Sequence, residues 1–259
     1  MIYYCKEKGE FMHKVALVTG SAQGLGKTII EQFANEGYDV IINYNNSEKE
    51  ALELEKYINE NYNVKVMSIK CDISKEEEIV KMKEEILKIF PKVDVLVNNA
   101  AIEVTSENRN SETFNETLQI NLIGTFLVSK YIGEIMYKNK YGKIINISSN
   151  NSINKYDPVT LEYDASKAGV NSLTHNLAIL YAPYINVNAV APGWIKTEKI
   201  EKLNKTLDNK LEIEESKNIL LNRFAKPEEI ANLVLFLASD KANYINSEII
   251  KVDGGTRWI

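Results

Sequence analysis

The sequence predicts one α/β domain in which helices cover both faces of a mostly parallel sheet of about seven strands. Short apolar runs rich in β-branched residues alternate with longer amphipathic stretches along the whole chain. Most of these runs are apolar on both faces, as buried parallel strands are. The 259 residues, 44% of them hydrophobic, suffice for one sizeable core, and no Pro/Gly/Ser-rich linker divides them.

The predicted elements follow this alternation in order. Apolar residues at helical spacing predict amphipathic helices, among them Ser47–Asn61 and Lys75–Phe90. Strands and helices that alternate from end to end are typical of a doubly wound fold. The predicted strands are Val15–Thr19, Val40–Asn43, Val64–Ile69, Val93–Val97, Lys143–Ile147, Ile185–Val190 and Glu248–Val252.

The first eleven residues look like an extension in front of this pattern. The first strand begins at Val15, and Met12-His13-Lys14 is a natural lead-in. We therefore expect residues 1–11 to be an N-terminal extension and residues 12–259 to be a single domain. A structural role for the extension, such as covering a sheet edge, is the weaker alternative.

Composition excludes several classes of protein. A net charge of −5 disfavours a nucleic-acid-binding protein. No apolar run approaches the roughly 20 residues of a membrane span, and the N-terminus lacks the apolar core of a signal peptide, so we expect a cytoplasmic protein. Two cysteines and two histidines leave no basis for a disulfide scaffold, and we expect no metal site.

A glycine-rich turn follows the first predicted strand. Gly20 permits a tight exit from the strand, Gly24 lets the backbone approach a pyrophosphate, and Gly26 lets the next helix pack close to the sheet. Backbone amides at a helix N-terminus favour an anionic phosphate. The pattern Thr-Gly-x-x-x-Gly-x-Gly therefore predicts a dinucleotide site, although a glycine-rich turn alone is also compatible with a purely structural role.

Three further segments follow predicted strands, and together they carry a resemblance. They are Asn98-Asn99-Ala100-Ala101, the pair Ser148-Ser149 with Tyr163-Asp164-Ala165-Ser166-Lys167 downstream, and Pro192-Gly193-Trp194-Ile195-Lys196-Thr197. With Asn121 and the ending Val252-Asp253-Gly254-Gly255, the chain resembles the classical short-chain dehydrogenase/reductase family over residues 12 to 259. Within that family, its sequence is most similar to 3-oxoacyl-acyl-carrier-protein reductases. The resemblance implies a single Rossmann-type domain that binds a nicotinamide cofactor.

The candidate catalytic residues are Asn121, Ser149, Tyr163 and Lys167. Tyr163 and Lys167 lie four residues apart and share one face of a helix. An ammonium group near a phenol lowers the phenol's pKa, so Tyr163 is expected to exchange a proton with a carbonyl or alcohol oxygen that Ser149 also binds. The resemblance implies that Lys167 holds the ribose hydroxyls and that Asn121 holds a water in a proton relay. It also favours Ser149 over Ser148, which spacing alone does not decide.

The resemblance further implies the cofactor contacts. No acidic residue stands between Asn43 and Ser47, so nothing repels a ribose 2′-phosphate and NADP is favoured. Gln23 stands where many NADP-dependent relatives have arginine, which leaves NAD open. The expected contacts are Gly20, Ser21, Gln23, Gly24, Leu25, Gly26, Asn43, Asp72, Ile73, Asn98, Ala100, Tyr163, Lys167, Pro192, Gly193, Ile195 and Thr197.

The substrate is less well defined by the sequence. The resemblance implies reduction of a ketone of the 3-oxoacyl thioester type, with a sugar, polyol or hydroxysteroid dehydrogenase as the alternative and a non-catalytic nucleotide-binding sensor as a remote one. Ala101 replaces the family's usual glycine, and the spacing from Ser149 to Tyr163 is one residue longer than usual, which weakens inference about the substrate.

The resemblance also implies partners for this protein. An acyl-carrier protein is a possible carrier of the substrate, with Lys138, Lys140 and Lys143 as candidate contacts, although such lysines are usually just solvated. The apolar-rich stretches Ser111–Tyr137 and Glu162–Tyr181 exceed what covering one face of a sheet needs, which predicts an oligomer. Because relatives pair these helices in tetramers, the resemblance implies a homotetramer, or at least a dimer. The charged stretch after Thr197 predicts a helical lid.

Overall fold

Seven parallel strands form the centre of the fold. The computed structural model describes residues 2–5, 10–104, 109–153 and 157–257, with only the backbone of residues 2–5 and 10–12. The sheet order is β5-β4-β3-β6-β7-β8-β9, and every neighbouring pair is parallel. The strands are β3 (Val15–Val18), β4 (Asp39–Tyr44), β5 (Val66–Lys70), β6 (Val95–Asn98), β7 (Gly142–Ile147), β8 (Ile185–Pro192) and β9 (Ile249–Val252).

Helices connect the strands and cover both faces of the sheet. A π-helical turn at Gln119–Gly124 joins two of them, and short 3₁₀ turns occupy Asn150–Ser152, Pro158–Thr160 and Asp240–Ala242. The α-helices are α1 (Gly24–Asn35), α2 (Glu48–Asn61), α3 (Glu76–Ile89), α4 (Ser111–Leu118), α5 (Thr125–Lys138), α6 (Leu161–Tyr181), α7 (Glu198–Thr206), α8 (Lys210–Ser216) and α9 (Pro227–Ala238).

Two apolar cores lie on opposite faces of the sheet. Ala16 and Val18 of β3 face α1, α2 and α9, whereas Val15 and Leu17 face α3, α5 and α6. This alternation explains why the strand is apolar at every position. The doubly wound parallel fold predicted from the sequence is confirmed.

Some boundaries differ from the prediction. Strand β5 begins at Val66, and β6 begins at Val95. The predicted lid is divided into α7 and α8, because Asp208 and Asn209 adopt positive φ angles of 51° and 61° that end the first helix. No helix in the described part of the chain is long and apolar enough to cross a membrane.

Two lysines are buried at the amino-terminal edge of the sheet. Lys14 Nζ donates to Asp240 Oδ1 at 2.9 Å, and Lys143 Nζ donates to Asn186 Oδ1 at 2.9 Å and Asn243 Oδ1 at 2.7 Å. The expectation that Lys143 joins Lys138 and Lys140 as a carrier contact is wrong, because Lys143 is 2% exposed and its charge is bound inside the fold.

The N-terminal residues include a hairpin that the sequence analysis did not predict. Strand β1 (Ile2–Cys5) pairs antiparallel with β2 (Glu10–His13) in a separate two-stranded sheet. Residue 1 and residues 6–9 of the predicted extension lie outside the described residues. The His13 ring lies 3.0 Å from Asp39 Oδ1, so residue 13 contacts the main domain at its lead-in to β3.

We propose that residues 1–11 are dispensable for the main domain. Deleting them is expected to leave turnover and melting temperature nearly unchanged, because in the described chain β1 and β2 pair with each other and with no strand of the large sheet. The deletion keeps His13 and Lys14. A fall in melting temperature of more than about 5 °C in a thermal scan, or loss of assembly, would show that the hairpin packs on the fold.

Candidate active site

A cleft of about 380 Å³ opens at the carboxyl ends of the central strands. It lies where the strand order reverses, since β4 and β6 flank β3 on opposite sides. Ligands of open parallel sheets bind at this switch point. The lining includes Gly20, Ala22, Gln23, Asn43, Tyr44, Asn45, Asn46, Ser47, Cys71, Asp72, Ile73, Asn99, Ala100, Ala101, Ile102 and Ile120.

The glycine turn has the shape of an anion cradle. Gly20 and Gly24 have φ angles of +61° and +58°, which favour glycine. A Cβ on Gly26 would lie 2.6 Å from the Gly20 carbonyl oxygen, so this position also excludes a side chain. In the described chain no side chain caps the start of α1, and its first turn contains no acid. Its first amides are therefore available to a phosphate.

Asn43 and Asn99 hold this turn in place. The Gly20 amide donates to Asn43 Oδ1 at 3.1 Å, and Asn43 Nδ2 donates to the Cys71 carbonyl at 3.1 Å. Asn99 Nδ2 donates to the carbonyls of Thr19 and Gly20 at 2.9 and 3.1 Å. Asn43 thus lies at the cleft, but its amide binds backbone groups of the turn and of the chain after β5.

Asn98 occupies a different place from its neighbour. Its Nδ2 donates to Ser129 Oγ and Asn146 Oδ1, both at 2.8 Å, between β6, β7 and α5. Sequence analysis named Asn98 and missed Asn99. The paired asparagines were the available signal, but successive residues at a strand end point to opposite sides, and only the packing shows which one meets the turn.

The other predicted cofactor contacts fall into two groups. The Ser21 hydroxyl donates to the Val18 carbonyl at 2.8 Å, and the Leu25 side chain is buried in the core. These two residues can therefore offer a ligand only their backbone. The second group lines the cleft directly and consists of Gln23, Asp72, Ile73 and Ala100.

Asp72 is held at the start of the chain leading into α3. Its Oδ1 accepts hydrogen bonds from the Ser74 amide at 3.0 Å and the Ser74 hydroxyl at 2.6 Å. Although partial burial favours the neutral acid, the hydrogen bonds from Ser74 and Lys75 lower the pKa of Asp72. The cleft therefore contains a fixed carboxylate.

The segment from Pro192 to Thr197 faces the glycine turn. The Gly193 amide donates to the Val252 carbonyl at 3.1 Å, and Ile195 forms an isolated parallel β-bridge with Ala225. A Cβ built on Gly24 would lie 4.0 Å from Thr197 Cγ2. The carboxyl end of β8 therefore forms the wall opposite the turn.

Side-chain contacts tie the lid to this wall. Trp194 stacks on Phe224 with ring centroids 5.2 Å apart, and its Nε1 donates to Glu215 Oε2 at 3.1 Å. Lys196 and Glu212 form an ion pair at 2.5 Å. These contacts hold α8 against the segment that follows β8.

Ser149, Tyr163 and Lys167 converge beside the cleft. Ser149 lies two residues after β7, its hydroxyl accepts from the Asn151 amide at 3.2 Å, and its side chain acts on the Tyr163 phenol. Lys167 Nζ donates to the Ile147 carbonyl at 2.7 Å and lies 5.5 Å from the centre of the Tyr163 ring. Ser148 points away, with its hydroxyl donating to Asn171 Oδ1 at 2.6 Å. Three groups from two distant segments therefore lie close together at the carboxyl end of β7.

The electrostatics at Tyr163 differ from the simple expectation. Burial, together with the nearby Glu103 and Asp164 carboxylates, raises the pKa of Tyr163, and the hydrogen bond with Ser149 opposes this only in part. Burial also lowers the pKa of Lys167 to about 8. Lys167 is not among the groups that shift this pKa, so the prediction that Lys167 lowers it is wrong, and Tyr163 is in its proton-donating form at neutral pH.

Asn121 lies on the π-helical turn and clamps a neighbouring loop. Its Oδ1 accepts from the Ile102 amide and its Nδ2 donates to the Ile102 carbonyl, both at 2.8 Å. Nδ2 also lies 3.0 Å from Ser166 Oγ on α6. The side chain thus joins the loop after β6 to the catalytic helix.

Asp164 organises the loop before the catalytic helix, a role that sequence analysis missed. Its Oδ1 accepts from the Thr160 hydroxyl at 2.9 Å and from Asn151 Nδ2 at 3.0 Å, and its Oδ2 accepts from the Asp157 amide at 3.1 Å. Its place next to Tyr163 was the only signal in the sequence.

Among the described residues, no group of three or more His, Cys, Asp or Glu side chains is arranged to hold a metal ion.

The chain is similar to known proteins along most of its length. Residues 20–257 match the family model described as enoyl-(acyl carrier protein) reductase. The chain is 39% identical over 245 residues to a 3-oxoacyl-acyl-carrier-protein reductase of Aquifex aeolicus, covering 93% of this chain and 96% of the relative. It is 37% identical over 246 residues to an NAD-dependent glycerol dehydrogenase of Listeria innocua, covering 93% of each.

A solved structure extends the likeness to three dimensions. The gluconate 5-dehydrogenase of Burkholderia cenocepacia, in complex with NADP and tartrate, superposes with a TM-score of 0.85 at 28% identity. The match covers 93% of this chain and 94% of the other.

The two adjacent serines provide a matched test of the site. Ser149→Ala is expected to lower turnover by about 100-fold, because it removes the hydroxyl beside the reacting oxygen. Ser148→Ala is expected to keep turnover within about threefold and to lower the melting temperature, because Asn171 loses its buried partner. Initial rates of NADPH consumption and thermal scans measure both effects, and equal losses of rate would contradict the assignment.

Proposed function

We propose that this chain, which belongs to the short-chain dehydrogenase/reductase family, uses NADPH to reduce the ketone of a 3-oxoacyl thioester to a secondary alcohol. The chain is an oxidoreductase of that family. The observation that carries the proposal is the convergence of Ser149, Tyr163 and Lys167 beside the cleft.

The chain's own groups account for the proton chemistry of such a reaction. Tyr163 is protonated at neutral pH and donates to the carbonyl oxygen as that oxygen gains charge. The Ser149 hydroxyl binds the same oxygen and fixes its position. Lys167 lies one helical turn further along the same face, where we propose that it holds ribose hydroxyls and returns a proton to Tyr163 from a relay water held by Asn121.

The cofactor fits the groups that are present. Gly20, Gly24 and Gly26 leave backbone exposed where a pyrophosphate would lie, and the start of α1 favours an anion. The exposed Asn45, with Asn46 and Ser47, lines the part of the cleft reached from β4. When bound there, the nicotinamide supplies the hydride, and the protein supplies position and electrostatics.

A sugar or polyol dehydrogenase is the second candidate, and one observation favours it. The carboxylates of Glu103 and Asp164 act on Tyr163, so the mouth of the site carries negative potential. This potential disfavours an acidic carrier protein and tolerates a neutral, hydroxylated substrate. The glycerol and gluconate dehydrogenases among the similar proteins agree with this alternative. A hydroxysteroid substrate and a non-catalytic sensor are weaker alternatives.

A substrate panel read by NADPH and NADH absorbance separates the candidates. It contains acetoacetyl-acyl-carrier-protein, acetoacetyl-coenzyme A, a keto sugar, dihydroxyacetone and a ketosteroid, with the matching alcohols in reverse. The proposal requires the thioesters to have the highest kcat/KM. Preference for dihydroxyacetone or the keto sugar would replace it with the second candidate, and turnover of none with either cofactor would favour a sensor.

Assembly and location belong to the same proposal. We propose a cytoplasmic homotetramer that buries the exposed apolar residues Phe126 and Tyr137 of α5 and Ile179 and Leu180 of α6. A monomer in light scattering at micromolar concentration would contradict the assembly.

Tyr163→Phe is expected to lower turnover at least 100-fold while cofactor affinity changes little. The substitution removes the proton donor and keeps the ring. Lys167→Met is expected to weaken both rate and cofactor binding, which gives a different signature. Steady-state rates and fluorescence titration with NADPH measure the two effects, and retained turnover in Tyr163→Phe would reject the catalytic assignment.

Cofactor choice is tested by placing a carboxylate in the cleft. Asn45→Asp is expected to weaken NADPH at least tenfold, because repulsion of a 2′-phosphate at a few ångströms is of the order of several kcal/mol before screening. Asn43 is a poor site for this test, because its amide holds the glycine turn. Asn61→Asp at the far end of α2 makes the same charge change away from the cleft and serves as the control. A wild-type preference for NADH would contradict the NADP proposal.

A further inference from the structure

A buried ion pair lies at the start of the catalytic helix. Glu162, the second residue of α6, immediately precedes Tyr163, and its side chain is 1% exposed. Arg109, from the segment between β6 and α4, places Nε 2.9 Å from Glu162 Oε2. The same guanidinium donates to the Val159 carbonyl in the turn before α6. One side chain therefore joins the segment after β6 to two points that flank the entry to the catalytic helix.

Arg109 compensates a charge that the fold otherwise leaves without support. Neither carboxylate oxygen of Glu162 accepts a hydrogen bond within the described chain, although Arg109 Nε lies within ion-pair distance. A buried carboxylate is costly without a positive partner, whereas removing both members of a pair is often tolerated. Arg109 therefore decides whether the residue that precedes Tyr163 in α6 carries an uncompensated negative charge.

Tyr163 already experiences several charges from the surrounding elements. Glu103 approaches from the segment after β6 and Asp164 lies on α6, while Lys167 lies one turn along α6 and Ser149 acts on the phenol from the segment after β7. Lys199 of α7 acts on Glu103. An uncompensated Glu162 would add a further negative charge to this set, and a lone Arg109 would offset it.

We propose that Arg109 is a positioning residue that fixes the entry to the catalytic helix through Val159 and Glu162 and neutralises the charge of Glu162, the residue before Tyr163. This inference rests on the proposed function, in which Tyr163 exchanges the proton. It assigns the segment between β6 and α4 a part in setting the acid strength of the site.

The two members of the pair predict pH shifts of opposite sign. In alcohol oxidation Tyr163 acts as the base, so the rate rises with pH as the phenol loses its proton, and this rise forms one limb of the pH–rate profile. Arg109→Met leaves Glu162 uncompensated and is expected to move this limb to higher pH. Glu162→Gln leaves Arg109 uncompensated and is expected to move the limb to lower pH. Each shift is expected to be about half to one pH unit, from Coulomb's law at intermediate dielectric. The double variant, Arg109→Met with Glu162→Gln, is expected to return the limb to the wild-type position.

The measurement uses the full chain and three alcohols, 3-hydroxybutyryl-coenzyme A, glucose and glycerol, with NADP⁺ and NAD⁺. The pH profile is measured with the combination of alcohol and cofactor that the wild type turns over fastest. Arg109→Lys retains the charge and is expected to retain the position of the limb with a lower kcat, because the fork to Val159 is lost. Lys83→Met removes a cation from an ion pair between α3 and α5 and is the control, with no expected shift.

Hydrogen–deuterium exchange over residues 157–165 gives a readout that needs no substrate. Exchange is expected to rise at least severalfold in Arg109→Met and to stay near wild type in the double variant and in Lys83→Met. If Arg109→Met does not fold, the downward shift of Glu162→Gln and the behaviour of Arg109→Lys carry the test.

The inference is overturned if both single variants keep the wild-type limb, or if both shift in the same direction. It is also overturned if exchange over 157–165 is unchanged in Arg109→Met. Tyr163→Phe is measured beside these variants. Loss of turnover in Tyr163→Phe with unshifted Arg109 and Glu162 variants rejects this inference alone, whereas retained turnover in Tyr163→Phe rejects the proposed function.

Discussion

Burial of both faces of the parallel sheet is the constraint on which the structure depends. Backbone hydrogen bonds within the sheet satisfy the strands, and helices cover the apolar side chains on each face. Polar chemistry is therefore confined to the strand ends. The carboxyl ends of β3, β6, β7 and β8 carry the glycine turn, the paired asparagines, Ser149 and the segment from Pro192, and parallel pairing brings all four to one edge.

Buried and half-buried asparagines hold these strand ends together. Asn43 and Asn99 bind backbone groups of the glycine turn, Asn121 clamps the loop after β6, and Asn98 joins β6 to β7 and α5. An amide offers both donors and an acceptor, so one side chain can satisfy a carbonyl and an N–H of an irregular segment at the same time. The loops of the site are thereby tied by hydrogen bonds where a ligand would need fixed amides.

Partial burial and the neighbouring charges shape the chemistry of the phenol. Burial disfavours the phenolate of Tyr163 and the ammonium of Lys167 alike, and the neighbouring carboxylates add to the effect on Tyr163. A protonated tyrosine suits the reductive direction at neutral pH. The chain belongs to the short-chain dehydrogenase/reductase family, and the proteins similar to it include both reductases and dehydrogenases.

The sequence by itself determined the fold class and the general position of the site. Alternating apolar runs and amphipathic stretches require a doubly covered sheet, and motifs at strand ends must then meet at one edge, because parallel strands all end on the same side. The tertiary structure decided which side chain at each strand end faces the cleft: Asn99 contacts the turn and Asn98 the interior, while Ser149 contacts Tyr163 and Ser148 contacts Asn171. It also decided that Lys143 is buried, that the pKa of Tyr163 is raised, and that Arg109 pairs with Glu162. These outcomes depend on side-chain direction, dehydration and contacts between segments far apart in the chain, and none of the three is encoded in local spacing.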